Sequence, residues 1–467
     1  MKQRNKKMNR LAPLTLALTL AAPGGAWALD LMDAWRAALT HDPAYATARA
    51  GRDAGQTQTR QADALWRPSL AVQASAGVAS ADSATRGARF AAPGMGRMSD
   101  ADFDTSIHGG VSASAGIELR QPLFDRTRDA EAEQMRLSAQ QADLAWDDAQ
   151  ADLMLRTAQS YFDLAVADQQ LRLIERQLAA VTRAQSEAQS RFDLGDRPVI
   201  DVHETTARAE GLRAQQLAAQ AQRELRRSLL ADLTGLPVTN ADVLALPARL
   251  PDAADAGELP PWLERVAVQA PQVRAAALGL KNAQEQARKT EGALSPSVDL
   301  VARAGHEQLS GSGDFGSASN RQTQGMIGVQ ISLPLDVGGG RSARHDESLA
   351  HIQQAQAALD QARQQATQQA RAAWLGVSVG RAQALALAAA AQASTARLNS
   401  TRTGYEIGER TTLDLLNAEN DNAAAQLALT QARVQVHLDA LRLMRLAGAL
   451  DESRLRRVQQ ALEPAAP

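Results

Sequence analysis

Landmarks in the first half of the chain return in the second at nearly the same spacing. Pro43 opens a proline-free stretch closed by Pro68, and Pro271 opens another of identical length closed by Pro296. The interval from Pro122 (in QPLFD) to Gly195 (in DLGDRPVID) differs by a single position from that between Pro334 (in LPLDV) and Gly408 (in EIGERTTLD). Gly195 to Gly235 and Gly408 to Gly448 are equal intervals. Fixed-period self-similarity on this scale means one unit of roughly 200 residues used twice. The expected organisation is a signal peptide over 1–28, a first repeat over 29–250, a second over 251–450 and a C-terminal tail over 451–467, with a Pro/Asp-rich linker near 238–262.

Composition narrows what the unit can be. The chain is 45% apolar yet only 3% aromatic, and it has no cysteine. Compact cores lean on large rings for buried area, whereas Ala/Gln/Leu/Arg-rich sequences suit long helices packed closely through small side chains. Without cysteine, disulfide frameworks, thiolate metal sites, thiol catalysis and lipidated-cysteine anchoring are excluded. Five basic residues (Lys2, Arg4, Lys6, Lys7 and Arg10) precede the apolar run LAPLTLALTLAA and the small-residue site Ala26-Trp27-Ala28. This is the pattern of a secretory signal cleaved after Ala28, since an apolar run of about 12 residues is short of the ~20 needed to span a bilayer. No later run of that kind is expected. Residues 29–467 carry a formal charge of −7, which with no basic tract speaks against nucleic acid as a partner.

Within each repeat the apolar period changes in a fixed order. The stretch between the paired prolines reads as a helix. Beyond it, Leu70, Val72, Ala74, Ala76 and Val78 alternate with polar or small residues, as do Val111, Ala113, Ala115, Ile117 and Leu119. The second repeat follows with Val298, Leu300, Ala302 and Ala304, then Ile327, Val329, Ile331 and Leu333. Strict period two predicts strands with one apolar and one polar face, each about 9–11 residues long, the length of a tilted membrane-spanning strand. The segments between them, 79–110 and 306–324, read as surface loops.

A long helix follows each strand pair. Leu164, Ala167, Leu171, Ile174, Leu178 and Val181 step by three and four, and Leu427, Val434 and Leu441 step by seven, the seam of a coiled coil. From Asp125 to Arg191 the chain has no proline, so the helix would approach ~100 Å. A turn at Gly195 or Gly408, where reversal calls for positive φ, leads into a return helix of about 35 residues, far beyond the usual three or four turns. Four amphipathic strands cannot close a barrel alone, and open edges are not tolerated in lipid. The expectation is therefore a mixed α and β membrane protein. Its coiled-coil helices would form a bundle or a tube (an α-barrel in the second case), and its four strands would be completed by further copies of the chain in an outer membrane.

The segments DAWRAALTHDPAYATARA, LRQPLFD, YFDLAVADQQL, RFDLGDRPVIDV, ADLTGLP, SLPLDVGGG and GYEIGERTTLDLLNAEN together resemble the TolC-type outer-membrane factor family over residues 29–450. The resemblance implies a homotrimer whose chains contribute four strands each to a 12-strand barrel in a Gram-negative outer membrane. A large periplasmic tunnel of helices would meet a periplasmic adaptor protein and an inner-membrane pump. It implies no enzymatic activity and no cofactor. Type I protein secretion is favoured, because the first mature residue is Leu29 rather than the cysteine common in the lipoprotein multidrug branch. Multidrug or small-molecule efflux, with a proton-driven rather than an ABC pump, stays open, as does a non-conducting periplasmic coiled-coil adaptor.

By resemblance, the hairpin tips form the periplasmic entrance. Asp414 matches an inward-facing acidic ring, where like charges repel and attract pore-plugging cations. Asn417 stands where the family has a second acid. Tyr405 and Arg410 match residues that lock neighbouring helix pairs, with Asp201 as the acidic partner of Arg410. Leu194, Gly195, Ile407 and Gly408 are the expected adaptor contacts.

Other motifs carry no chemistry. Gly376-Val377-Ser378-Val379-Gly380 matches a nucleophile elbow but interrupts a helical pattern instead of joining strand to helix, so it reads as close helix packing. Gly311–Gly316 matches G-x-G-x-x-G inside the 306–324 segment, and Gly338–Gly340 lack the lysine of a phosphate loop. The seven histidines show no metal spacing and read as surface or interface groups. Trp66, before the first strand, fits an interfacial aromatic belt or simple packing equally well.

Overall fold

The computed structural model describes residues 29–196, 198–239, 244–251, 257–314, 316–335 and 338–462. The signal segment, parts of the 238–262 linker, Phe315 and the last residues of the tail lie outside these.

Two short helices, α1 (Leu31–His41) and α2 (Pro43–Ala64), lead into strands β1 (Ser69–Ala92) and β2 (Gly96–Phe124). Next come the long helix α3 (Arg126–Asp193) and its return α4 (Val199–Thr234). The order then recurs: α5 (Leu259–Gln269), α6 (Pro271–Gly292), β3 (Ser297–Gly313), β4 (Gly316–Ser332), long helix α7 (Gly340–Glu406) and return helix α8 (Thr412–Leu446), with a closing α9 (Glu452–Gln460).

Helix starts follow local chemistry. Asp30, Asp42, Asp125 and Asp451 each cap a helix by accepting from backbone N–H groups of the first turn, satisfying donors that the helix cannot. Pro43 and Pro271 sit at the first helical position, where a missing N–H costs nothing. At 68 and 67 residues, α3 and α7 are each about 100 Å long. The expected seam is buried along α3 at Leu164, Ala167, Leu171, Ile174 and Val181.

The main apolar core is a collar part-way along the helices. Leu31, Met32 and Trp35 of α1 meet Leu153, Tyr161 and Phe162 of α3, Leu230 of α4, Leu438 and Leu441 of α8, and Leu455 and Val458 of α9. A second cluster joins α5, α6, α7 and α8 around Val266, Ala370 and Leu443. Polar ties fix the collar. Asp42, almost fully buried, takes Arg156 at 2.7 Å, and the guanidinium holds its carboxyl below the usual range. The tail also belongs here, since Ala248 and Arg249 donate to Ala461 O.

The four strands form one antiparallel sheet in the order β1-β2-β3-β4. Their lengths depart from expectation. β1 and β2 run 24 and 29 residues, and β3 and β4 run 17 each. The 79–110 and 306–324 segments are thus continuations of the hairpins rather than loops, turning at Pro93–Met95 and around Asp314. Hydropathy alternation marks a strand only where one face meets an apolar medium; beyond it, ladder hydrogen bonds carry polar strands without that signature.

Three further differences stand out. α1, α5 and α9 are helices that the repeat does not announce. His437 is buried, not superficial, and its Nε2 donates to Arg249 O at 2.8 Å, holding the linker to α8. α7 contains a stretch apolar enough by length and composition to cross a membrane, yet only 17% buried in the single chain. Around Leu385 it lies about 65 Å along the helix from its sheet-proximal end, beyond the ~30 Å of hydrocarbon that could hold the sheet. Gly376 and Gly380 face α8, and a Cβ on Gly376 would overlap Asp439. The G-x-S-x-G spacing thus falls at a close helix contact.

Candidate functional site

Two regions could do work: the faces of the sheet and the turns at the far end of the helices. The register lines up apolar residues across all four strands. Leu70, Leu119, Ala302 and Ile327 form one row, and Val72, Ile117, Ala304 and Gly325 the next. These side chains are bare, with Val72 at 74% and Ile327 at 75% exposure. The opposite face is mostly polar, with Val301, Leu309 and Met326 among its apolar exceptions. Glu118 lies directly across from Arg303 and pairs with it at 3.0 Å, Arg120 pairs with Asp299 at 2.5 Å, and Ser75 bonds Ser114 at 2.8 Å. An exposed apolar sheet face opposite an ion-paired one has a lipid side and a water side. The apolar band is also slanted. On β1 it runs up to Val78, whose row reaches Ser310 and Ser319 on β3 and β4, while on β4 it continues down to Ile331. Strands tilted to a membrane need that offset. β1 and β4 are the sheet edges, so the sheet is open.

At the other end, Gly195 and Gly408 make the reversals at φ 77° and 82°, backbone that residues with a Cβ rarely adopt. Each turn presents a bare apolar residue, Leu194 at 83% and Ile407 at 66% exposure.

Asp414 belongs to the N-terminus of α8. Its carboxylate accepts from Thr411 N–H at 3.1 Å and from the Thr411 hydroxyl at 2.9 Å, while Asp414 N–H donates to Thr411 Oγ1. This is a complete capping box, readable in the sequence as T-x-x-D. The Thr411 backbone N–H, and then its hydroxyl, hold the Asp414 carboxyl below its ordinary value. Asn417, one turn further on, accepts from Arg208 Nη1 of α4 at 2.8 Å.

Tyr405 donates its hydroxyl to Glu187 Oε2 at 2.8 Å, and Glu187 also holds Arg191 at 2.6 Å. Partial burial, and then the Glu187 carboxylate, raise the phenol's pKa, keeping it a donor. Arg410 donates its backbone N–H to Gly404 O, and its charge falls on Asp414. Asp201 lies in the first turn of α4. Among the described residues no ion pair joins Arg410 to Asp201 within the chain. The structure therefore brings Tyr405 and Asn417 to new partners, Glu187 and Arg208, and leaves Arg410 and Asp201 apart. No group of residues that could hold a metal occurs among those described.

A family model described as "Outer membrane efflux protein" matches residues 34–236 and 262–449. Proteases secretion protein PrtF of Dickeya chrysanthemi is 26% identical over 94% of this chain and 92% of its own length. Outer membrane protein TolC of Vibrio cholerae is 23% identical over 98% and 100%. The crystal structure of the outer membrane protein VceC of Vibrio cholerae superposes with a TM-score of 0.68 at 20% identity, covering 90% of this chain and 96% of that one. At that identity the superposition speaks for the fold alone.

Proposed function

The chain belongs to the outer membrane efflux protein family, and on that premise we propose that three copies form a trimeric outer-membrane duct for type I protein secretion. As a member it is an outer-membrane channel, not an enzyme. The observation that carries the assembly is the open four-stranded sheet with row-matched apolar residues on one face and ion pairs on the other. Lipid accepts the first face but not the free edges, so β4 of one copy has to meet β1 of the next. The unburied apolar stretch of α7 is likewise covered by neighbours, in a shaft of helices below the membrane.

Energy would come from an inner-membrane ABC pump, reached through a periplasmic adaptor that docks on the bare tips Leu194, Gly195, Ile407 and Gly408. Protein cargo is favoured by the full-length likeness to a protein named for protease secretion and by Leu29 at the expected mature N-terminus. The competing reading, drug efflux driven by a proton-coupled pump, follows from the family description. Expression in a bacterium deleted for its own outer-membrane component separates the two. Restored secretion of an exported protein without restored drug resistance supports the proposal, and the reverse pattern selects efflux.

At the entrance, Asp414 forms an acidic ring around the axis, and Asn417 replaces a second. Tyr405, Arg410 and Asp201 hold the helix pairs closed, with Arg410 reaching Asp201 of the neighbouring copy. Opening is an iris-like untwisting of the hairpins. Replacing Arg410 with Ser should raise single-channel conductance in planar bilayers, and an unchanged conductance would count against the lock.

A further inference from the structure

The two helix pairs of one chain touch near their tips at few places. The apolar contact is a small cluster in which Val181 of α3, Ala209 and Leu212 of α4, and Leu416 of α8 meet. Beside it, three polar links join the pairs among the described residues: Tyr405 to Glu187, Gln177 to Asn420, and Arg208 to α8. Arg208 differs from the others in reaching two groups, Asn417 Oδ1 at 2.8 Å and Leu416 O at 3.5 Å. It thus brackets the residue that plugs the cluster.

Its charge also has no ion pair with a carboxylate among the described residues: Glu204, one turn before it on α4, makes none, and most other acids near the tips are engaged elsewhere. Glu187 holds Arg191, Glu210 holds Arg213, Glu419 holds Arg402, Asp421 holds Arg397, and Asp414 is tied into its capping box. A guanidinium on a neutral amide makes a charge-assisted bond, but one that an acid in place of the amide would strengthen.

We infer that Arg208 is a gating residue of the entrance, clamping the first helix pair to the second through Asn417 and Leu416. The inference rests on the channel reading above. Moving α7 and α8 away from α3 and α4 breaks both Arg208 bonds before the apolar cluster can part. The amide at 417 sets the clamp at intermediate strength, firm enough to hold the closed state and weak enough to release. Glu187 on the Tyr405 side and Arg208 on the Asn417 side would act together as two latches within one protomer.

The test is single-channel recording of full-length trimers in planar bilayers, in monovalent salt, on Arg208→Ala, Arg208→Lys, Asn417→Asp and the double variant Arg208→Ala/Asn417→Asp. Loss of both Arg208 bonds, of which the short one to Asn417 dominates, should raise the open probability of Arg208→Ala about ten-fold. Arg208→Lys, with a single point donor, should fall between it and the wild type. Asn417→Asp should lower open probability when Arg208 is present and lose that effect when it is absent. Wild-type behaviour of Arg208→Ala, or an equal effect of Asn417→Asp in both backgrounds, would overturn the clamp. Should Arg208→Ala fail to assemble, Arg208→Lys and Asn417→Asp carry the same comparison. A wild-type trimer that does not conduct would instead overturn the channel reading.

Discussion

At the scale of single residues, side chains are held by neighbours that are close in space but not always in sequence. Asp414 is legible, since Thr411-Thr412-Leu413-Asp414 is a capping-box spelling. The structure adds that its carboxylate is occupied by Thr411 as well as facing solvent. Thr411→Ala removes the hydroxyl from this box and should destabilise the start of α8 by about 1 kcal/mol. It should also return the carboxyl toward its ordinary 3.8. Because the folded value is depressed, the cap is at full strength above the ordinary 3.8 and is lost as pH falls through the lowered folded value. Block by divalent cations at acid pH should therefore weaken earlier in Thr411→Ala than in the wild type, measured as conductance against pH. Glu187 is not legible, because nothing in its distance from Gly195 says which acid of α3 faces Tyr405. His437 reads as superficial for a related reason: a histidine among Val436, Leu438 and Leu441 gives no sign that a linker carbonyl waits for it. Burial pushes its pKa below the ordinary 6.5. The unfolded chain then binds a proton that the folded one refuses, so stability present above pH 6.5 falls as pH drops below it. Unfolding midpoints followed from pH 8 to pH 5 should show a shallower acid slope in His437→Gln.

At the scale of elements, sequence periodicity locates the strands and long helices but not the full extent of the strands. β1 and β2 are recognisable where Leu70–Val78 and Val111–Leu119 alternate. Their outer halves are silent because an Asp/Ser/Gly/Arg-rich ribbon in water has no apolar face to register. The helices are easier, since a seam of Leu, Ile and Val at three and four persists through α3 whatever surrounds it. α5 is hidden although Pro260 and Pro261 stand at its start, because the proline cluster reads as linker. Close helix contacts leave a different mark, small residues. Gly376 faces Asp439 where no Cβ fits, whereas a Cβ on Gly211 would meet open space within the chain. Gly376→Leu should push α7 from α8 and cost about 1–3 kcal/mol, while Gly211→Ala should be neutral or slightly stabilising. Thermal unfolding of the helical signal separates the two, and equal melting of both variants would contradict the contact.

At the scale of the whole molecule, one chain is an incomplete object. Its collar is packed and five of its described helices start on side-chain caps, yet the sheet has two free edges and the apolar band on its face is bare. Each of these points outward to something the chain does not contain: lipid for the band, further copies for the edges and for the apolar stretch of α7. For the band and the edges this follows from alternation and length, since a strand pair per repeat cannot close, whereas the apolar stretch of α7 is not announced by the sequence pattern. What a sequence without chemistry-bearing motifs does not specify is the cargo, because a wide duct touches what passes through it at few points.

The most direct test of the account uses the absence of cysteine. Single cysteines placed at Val72 and Gln73 carry nitroxide labels in trimers reconstituted into liposomes, and their relaxation is compared with oxygen in the bilayer and a nickel chelate in water. The label at 72 should respond to oxygen and the label at 73 to nickel. The same accessibility at both positions, with nickel reaching each, would mean that the sheet does not divide lipid from water and that the chain is not a membrane channel.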